Sequence, residues 1–364
     1  VLETREKGLG GAAARSVTTA YFVCFAMVGA LSAMLGPSLP VLSDASGLSA
    51  SALSVLFTAD SVGAICGALF AGRVFDRLDP HAQLALGLGG IAAAVAAIPL
   101  ADSLLLLVLG WWALGASKIF VLVTANTLLM RQRGEDAGPY VNAAQFFAGL
   151  GSLLMPALIA QALGATGGLH LAYWAMTGLA VLLVARLRAL PVPAPAVPEP
   201  EEPERRAQHR RIVATVAVLF FFYEGAEIGF SGWLPSFTLD QGITDSSGTA
   251  AYYTSVFWIA MTLGRLLCLP IARRTPAERI LLTSLAACCT TLGALLLFGS
   301  TSLFVVFWTF AFGLSMASIF PAAFTMLNQR GAMNGRTNAL CMFAASGGAM
   351  FFPLVIGQFV TLRR

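Results

Sequence analysis

Apolar runs of about 20 residues or more, the length a helix needs to cross a hydrocarbon core of about 30 Å, recur along the whole chain. They fall near residues 17–40, 51–72, 82–100, 103–130, 138–163, 169–186, 212–238, 249–272, 277–299, 301–328 and 337–361. With 57% hydrophobic and 11% charged residues and a mean hydropathy of +0.79, a soluble globular fold is excluded. Runs this long and continuous fit helices and not the alternating strands of a barrel. The expected fold class is therefore an all-α membrane protein. The first run is too long for a cleaved secretion signal, and no small-residue cleavage pattern follows it.

The basic residues follow the alternation of the connecting segments. With a cytoplasmic N-terminus, the cytoplasmic segments hold 18 of the 22 Lys and Arg, and the outer loops between spans hold none. That asymmetry satisfies the positive-inside rule and predicts a multi-pass protein of the cell membrane with its N-terminus inside. It also accounts for the net charge of +4 without nucleic acid as a partner. Arg363 and Arg364 follow the eleventh span, where an outward end would disfavour them, so a twelfth helix is expected and is not evident. All six cysteines lie within spans and read as small packing residues, with no disulfide framework. His81, His170 and His209 are dispersed at loop positions. Without a catalytic constellation, nucleotide-binding loop or metal-ligand cluster, the chain does not read as an enzyme.

The chain divides at "RALPVPAPAVPEPEEPERRAQHRR", Arg188 to Arg211, whose alternating prolines favour an extended, unpacked segment. Residues 1–187 are expected to form a six-helix half, 188–211 a cytoplasmic linker, and 212–364 a second half with five visible helices. The halves repeat each other. "NAAQFFAGLGSLLMPALIAQ" (142–161) matches "NALCMFAASGGAMFFPLVIGQ" (338–358), aligning Gly151 with Gly347 and, after a one-residue insertion, Pro156 with Pro353. "QRG" recurs at 132–134 and 329–331, and "SKIF" (117–120) lies near the counterpart of "ASIF" (317–320).

Two parallel six-helix copies joined by a cytoplasmic linker resemble the major facilitator superfamily of transporters. "GRVFDRLDPH", Gly72 to His81, resembles that family's loop between the second and third helices, with Gly72, Asp76 and Arg77 in place. Asp79, Pro80 and His81 depart from its usual Gly and basic residues. "GPSLPVL" (36–42), "YEGAEIGFSGW" (223–233), "SVFWIAMTLGRL" (255–266) and "GLSMASIFPAAF" (313–324) are similar to the branch holding the fucose permeases and, more closely, the sodium-dependent glucose transporters. Leu122 stands where the fucose permeases carry an acid, and no acid stands just before Pro40, so that branch's proton-handling residues are absent. The resemblance implies transport by rocking of two halves about a central cavity that the fourth and seventh helices help to line. It also implies a gating role for Asp76 and Arg77.

Glu224 and Glu227 lie one turn apart near the middle of the seventh span, so both can point the same way. A lone charge at that depth costs roughly 2.5–3.5 kcal/mol on insertion scales. The pair needs a cavity, a cation or a shared proton. Two carboxylates can bind Na+ or hold one proton between them, and the alternative is a structural ion pair with Lys118 or Arg265. Lys118, near the midpoint of the fourth span, is expected either to balance a carboxylate of the seventh and release it when a cation arrives, or to stitch the halves permanently. Asp60, in the second span, reads as a structural partner, and Arg265, on one face with Trp258 and Met261, as a gate or packing charge.

A sugar site should offer aromatic faces and amides, and Tyr223, Tyr253, Trp258, Asn126, Gln145 and Asn142 stand in suitable spans. The function expected is cation-coupled uptake of a monosaccharide, with Glu224, Glu227 and Lys118 in coupling and Na+ or H+ as the ion. No cofactor or metal is expected beyond a coupling Na+, and the partners are a small molecule and the bilayer. The rivals are an efflux carrier for amphipathic or cationic compounds and a non-transporting membrane receptor.

Overall fold

The computed structural model describes residues 11–74, 79–133, 137–191, 210–272, 274–298, 301–330, 332 and 335–361. The first half comprises α1 (Gly11–Ser32), α2 (Leu35–Ser46), α3 (Ala50–Leu53), α4 (Val55–Val74), α5 (Pro80–Ala97), α6 (Leu104–Arg133), α7 (Ala137–Thr166) and α8 (His170–Arg188). The second comprises α9 (Arg210–Asp240), α10 (Ser247–Ala272), α11 (Ala277–Phe298), α12 (Ser302–Met316), α13 (Ile319–Gln329) and α14 (Gly335–Thr361). Among the described residues, eleven segments are long and apolar enough to cross a membrane, at the positions the hydropathy pattern predicts. Residues 192–209 of the proline-rich linker, and Asp76 and Arg77 of the loop motif, lie outside the described residues.

Two spans that read as single apolar runs are each broken into two helices at a proline. Pro37 has no N–H to give the carbonyl of Ala33, four residues earlier, and the chain breaks between α1 and α2 at residues 33–34. Pro321 stands in the same relation to Ala317, where α12 gives way to α13. Pro235 lies inside α9 without ending it. The carbonyl it frees, that of Ser231, accepts a hydrogen bond from Thr254 Oγ1 on α10 at 3.4 Å, so that group is not left bare in lipid.

In the first half α1 packs on α7 and α4 on α6; in the second α9 packs on α14 and α10 on α12. Across the halves α7 packs on α10 and α14 on α4. A two-fold rotation exchanging α1 with α9, α4 with α10, α6 with α12 and α7 with α14 maps this pattern onto itself. The apolar core divides accordingly. One cluster runs from Val17 to Leu190 and takes in Trp233, and a second spans Val216 to Ala345 and takes in Ala33.

Lipid gives helices no hydrophobic reason to associate, so close backbone approach at small residues supplies the contact. A Cβ added at Gly151 would lie 1.7 Å from the carbonyl oxygen of Ala26, and one at Gly348 would lie 1.8 Å from that of Phe221. The backbone nitrogen four residues further on, of Ala30 or Gly225, is also close in each case. Geometry thus pairs Gly151 with Gly348, one residue away from the sequence alignment, and puts the insertion before the glycine. The same register recurs where Gly115 meets the Asp60 carbonyl and Gly313 meets that of Phe257.

The loops between spans at the end away from the arginine-rich connections carry Asp44, Asp102, Asp240 and Asp245, with no Lys or Arg. At this acidic end the halves close on each other. A Cβ on Gly36 would lie 2.6 Å from the Cα of Gly232, and one on Gly357 would lie 2.4 Å from Cβ of Ser54.

Replacing Gly151 by Val should lower the midpoint of thermal unfolding in detergent, at a cost of about 1–3 kcal/mol from overpacking. Gly164→Ala, with nothing within 4 Å of the added carbon, should leave it unchanged. Equal shifts for the two variants would contradict the packing described.

Candidate substrate and cation site

The 31 residues of α9 rise about 46 Å, and Glu224 and Glu227 sit near half-height on one face. Glu227 is 6% exposed and Glu224 is half-buried. Arg265 of α10 interacts electrostatically with both carboxylates and with the Tyr223 phenol. Lys118 of α6 lies in electrostatic range of Glu224, so the charges at this level come from both halves.

Lys118 donates to Asp60 Oδ2 on α4 at 2.7 Å, as an ion pair sheltered inside the first half. The internal register places Asp60 opposite Phe257 and Lys118 opposite Met316. The first half therefore has an ion pair where the second has apolar side chains. The second half carries its charge on α9 instead, where Glu224 and Glu227 stand opposite Gly29 and Ser32 of α1.

Several buried polar atoms on the surrounding helices make no well-formed hydrogen bond to protein: Glu227 Oε2, Trp258 Nε1 and Asp60 Oδ1, with Asn126 Oδ1 two turns beyond Lys118 on α6, while the Tyr223 phenol lies in hydrogen-bonding reach of Glu227 and Arg265. Buried polar atoms are nearly always paired, and an unpaired one in lipid is costlier still. These atoms on α9, α10 and α4 are groups that an ion, a water or a polar ligand would satisfy. Tyr223 and Trp258 share one apolar cluster with Phe220, Phe257, Met261 and Met316, so an aromatic wall stands beside the carboxylates.

The structure gathers Tyr223, Glu224, Glu227, Trp258 and Arg265, and brings Lys118 to their edge. Tyr253 lies elsewhere. It hydrogen-bonds Ser302 and packs with Leu234, Leu295 and Val305, because five residues along α10 turn it well away from Trp258. Gln145 is exposed on α7. The side chain of Asn142 lies outside the described residues.

In the sequence His81 reads as a dispersed loop histidine, yet it is 5% exposed and its Nε2 lies 3.1 Å from Tyr21 Oη of α1. The signal was legible. Asp79 before Pro80 is a helix start, and the Asp79 carboxylate caps α5 by accepting from the N–H groups of His81 and Ala82. Among the described residues no group of His, Cys, Asp and Glu could hold a metal ion by proximity.

A family model described as the Major Facilitator Superfamily matches residues 21–353. Sodium-dependent glucose transporter 1A of Mus musculus is 25% identical, over 92% of this chain and 88% of its own length. Sodium-dependent glucose transporter 1 of Xenopus laevis is 23% identical, over 89% of this chain and 72% of its own. Among solved structures, that of a D-xylose-proton symporter superposes with a TM-score of 0.75 at 14% identity, covering 93% of this chain and 89% of that one.

Asp60→Leu alone or Lys118→Met alone should cost about 3–5 kcal/mol, because each strands a buried charge. Together they should restore most of the loss, since the register-related pair Phe257 and Met316 shows that the position accepts apolar side chains. Thermal unfolding of the three variants decides this. Additive losses would mean that the two charges do not depend on each other.

Proposed function

The chain belongs to the Major Facilitator Superfamily and is a multi-pass membrane transporter of a small molecule, not an enzyme, and from that premise we propose that it takes up a monosaccharide coupled to Na+ or H+. The observation that carries this reading is the buried Glu227 carboxylate, one oxygen of which makes no well-formed hydrogen bond. Among the described residues at mid-membrane, Asp60, Glu224 and Glu227 stand against Lys118 and Arg265. One negative charge is in excess, and one monovalent cation between the two α9 carboxylates would balance it. The names of the curated relatives, sodium-dependent glucose transporters, favour Na+ and a hexose.

In this reading the arginine-rich end is cytoplasmic, and residues 1–187 and 212–364 rock as two halves joined by the 188–211 linker. In the empty state Arg265 partly neutralises the α9 pair while Lys118 is held by Asp60. A cation arriving from outside binds Glu224 and Glu227 and removes the charge that would resist closing the cavity around it. Tyr223 Oη, Trp258 Nε1 and Asn126 Oδ1 then have hydroxyls to pair with, and the indole and phenol faces cover the C–H surface of the ring. One Na+ carried inward across 100 mV contributes about 2.3 kcal/mol, enough for roughly fifty-fold accumulation. A second reading, efflux of an amphipathic cation, draws on Phe220, which stacks on Phe320 with ring centroids 4.9 Å apart and packs edge-on to Phe324.

Uptake and counterflow of labelled glucose in proteoliposomes test the proposal. The wild type should accumulate sugar under an inward Na+ gradient. Glu227→Gln should abolish accumulation while exchange at equal concentrations survives. No sugar movement under any cation gradient would overturn the reading and direct the carboxylates to cationic drugs.

A further inference from the structure

At the acidic end two glutamines reach from one half to the other. Gln161, near the end of α7, donates through its amide nitrogen to Tyr252 Oη on α10. Gln358, near the end of α14, accepts at Oε1 from Ser51 Oγ of α3 at 2.8 Å. Both close the repeated segment, "PALIAQ" in one half and "PLVIGQ" in the other. They stand 197 positions apart, the same offset as Gly151 and Gly348, so the two-fold that relates the halves exchanges them. Each half lends one glutamine to the other.

We infer that Gln161 and Gln358 are a matched pair of latches that hold the outer end of the transporter shut, as positioning residues of alternating access. This rests on the orientation proposed above, with the acidic end outward. Beneath the latches lies the tightest part of the seam. Gly36 meets the Gly232 backbone, Gly357 meets Ser54, and Phe57 packs against Trp233 with ring centroids 6.1 Å apart. These surfaces have to part before a ligand can enter from outside. A latch on either side of the α2–α9 contact resists rotation in both directions, and one alone would leave the far side free.

The strength of the two bonds suits a step repeated every cycle. Gln161, Tyr252 and Gln358 are exposed, so water competes for each bond and its net worth is small. The Asp60–Lys118 pair, sheltered inside one half, would be far costlier to break and does not span the seam. The Tyr252 latch also lines an open cavity of about 740 Å³ at this end, together with Asp44, Ser246, Ser247 and Thr249. It is therefore within reach of the outer solution.

The test is labelling of a cysteine placed under the seam, Ser231→Cys, by a membrane-impermeant maleimide applied from outside. Ser231 is 6% exposed, and the six native cysteines all lie within spans, so their labelling without the reporter sets the background. Gln161→Ala and Gln358→Ala should each speed labelling about two- to ten-fold, the loss of one modest hydrogen bond, and the double variant should approach the product of the two. Unchanged labelling in all three, with unfolding midpoints like the parent's, would overturn the inference. Acceleration only when the reagent reaches the opposite face would support the latches and overturn the orientation.

Should the alanine variants fold poorly, Gln161→Cys with Tyr252→Cys gives a second route. Bridging the two cysteines with a bifunctional maleimide that carries a cleavable spacer should arrest uptake, and cleaving the spacer should restore it. Transport continuing at the parent rate in the cross-linked protein would contradict the latch.

Discussion

The Glu227 carboxylate lies about 20 Å along α9 from the helix's acidic end, 6% exposed, with the Tyr223 phenol beside it and one oxygen in no well-formed hydrogen bond. An ionised group so placed is unfavourable unless something else completes it. Arg265 offsets part of the charge on the α9 pair, but Lys118 is already bound to Asp60. The second half therefore holds a charge that its own side chains leave unbalanced. In a transporter, that deficit gives a reason for a cation to enter before the cavity closes.

The rest of the fold gives that deficit a place. Small residues let α1 and α7, and α9 and α14, approach to backbone contact, and each pair repeats the other's register. Against this shared frame the halves differ in where they keep charge. The first half neutralises Asp60 with Lys118 inside its own α4–α6 contact and keeps Gly29 and Ser32 on α1. The second has Phe257 and Met316 at the former positions and Glu224 and Glu227 at the latter. The two-fold relates the frames of the two halves, and their charges depart from it.

Much of this was legible in the sequence because the membrane restricts what a chain can do. The spans follow from length and hydropathy, the repeat from "QRG" and the Gln161 and Gln358 segments, and the α9 carboxylates from their cost at depth. What the sequence did not show were relations across space. Pro37 and Pro321 break their spans, whereas Pro235 does not, because Thr254 on another helix takes the carbonyl it frees. Lys118 had acids on two helices to choose between, and only packing shows that Asp60 holds it. Tyr253 and Trp258 are near in sequence but fall on different faces of α10, a matter of helical phase that amino-acid type does not reveal. The alignment of Gly151 missed its partner by one residue because an insertion can be placed on either side of a glycine until the backbone contact is seen.

The central claim is that the α9 pair takes up a cation, and ligand-linked stability measures that most directly. Anything that binds the folded state raises its unfolding midpoint by mass action. At constant ionic strength and neutral pH, replacing choline with increasing Na+ should raise the midpoint of the wild type in a saturable way, and should leave that of Glu227→Gln where it stands in choline. A rise of the same size in both proteins, or a wild type indifferent to Na+ and to a change of pH from 5 to 8, would contradict the account.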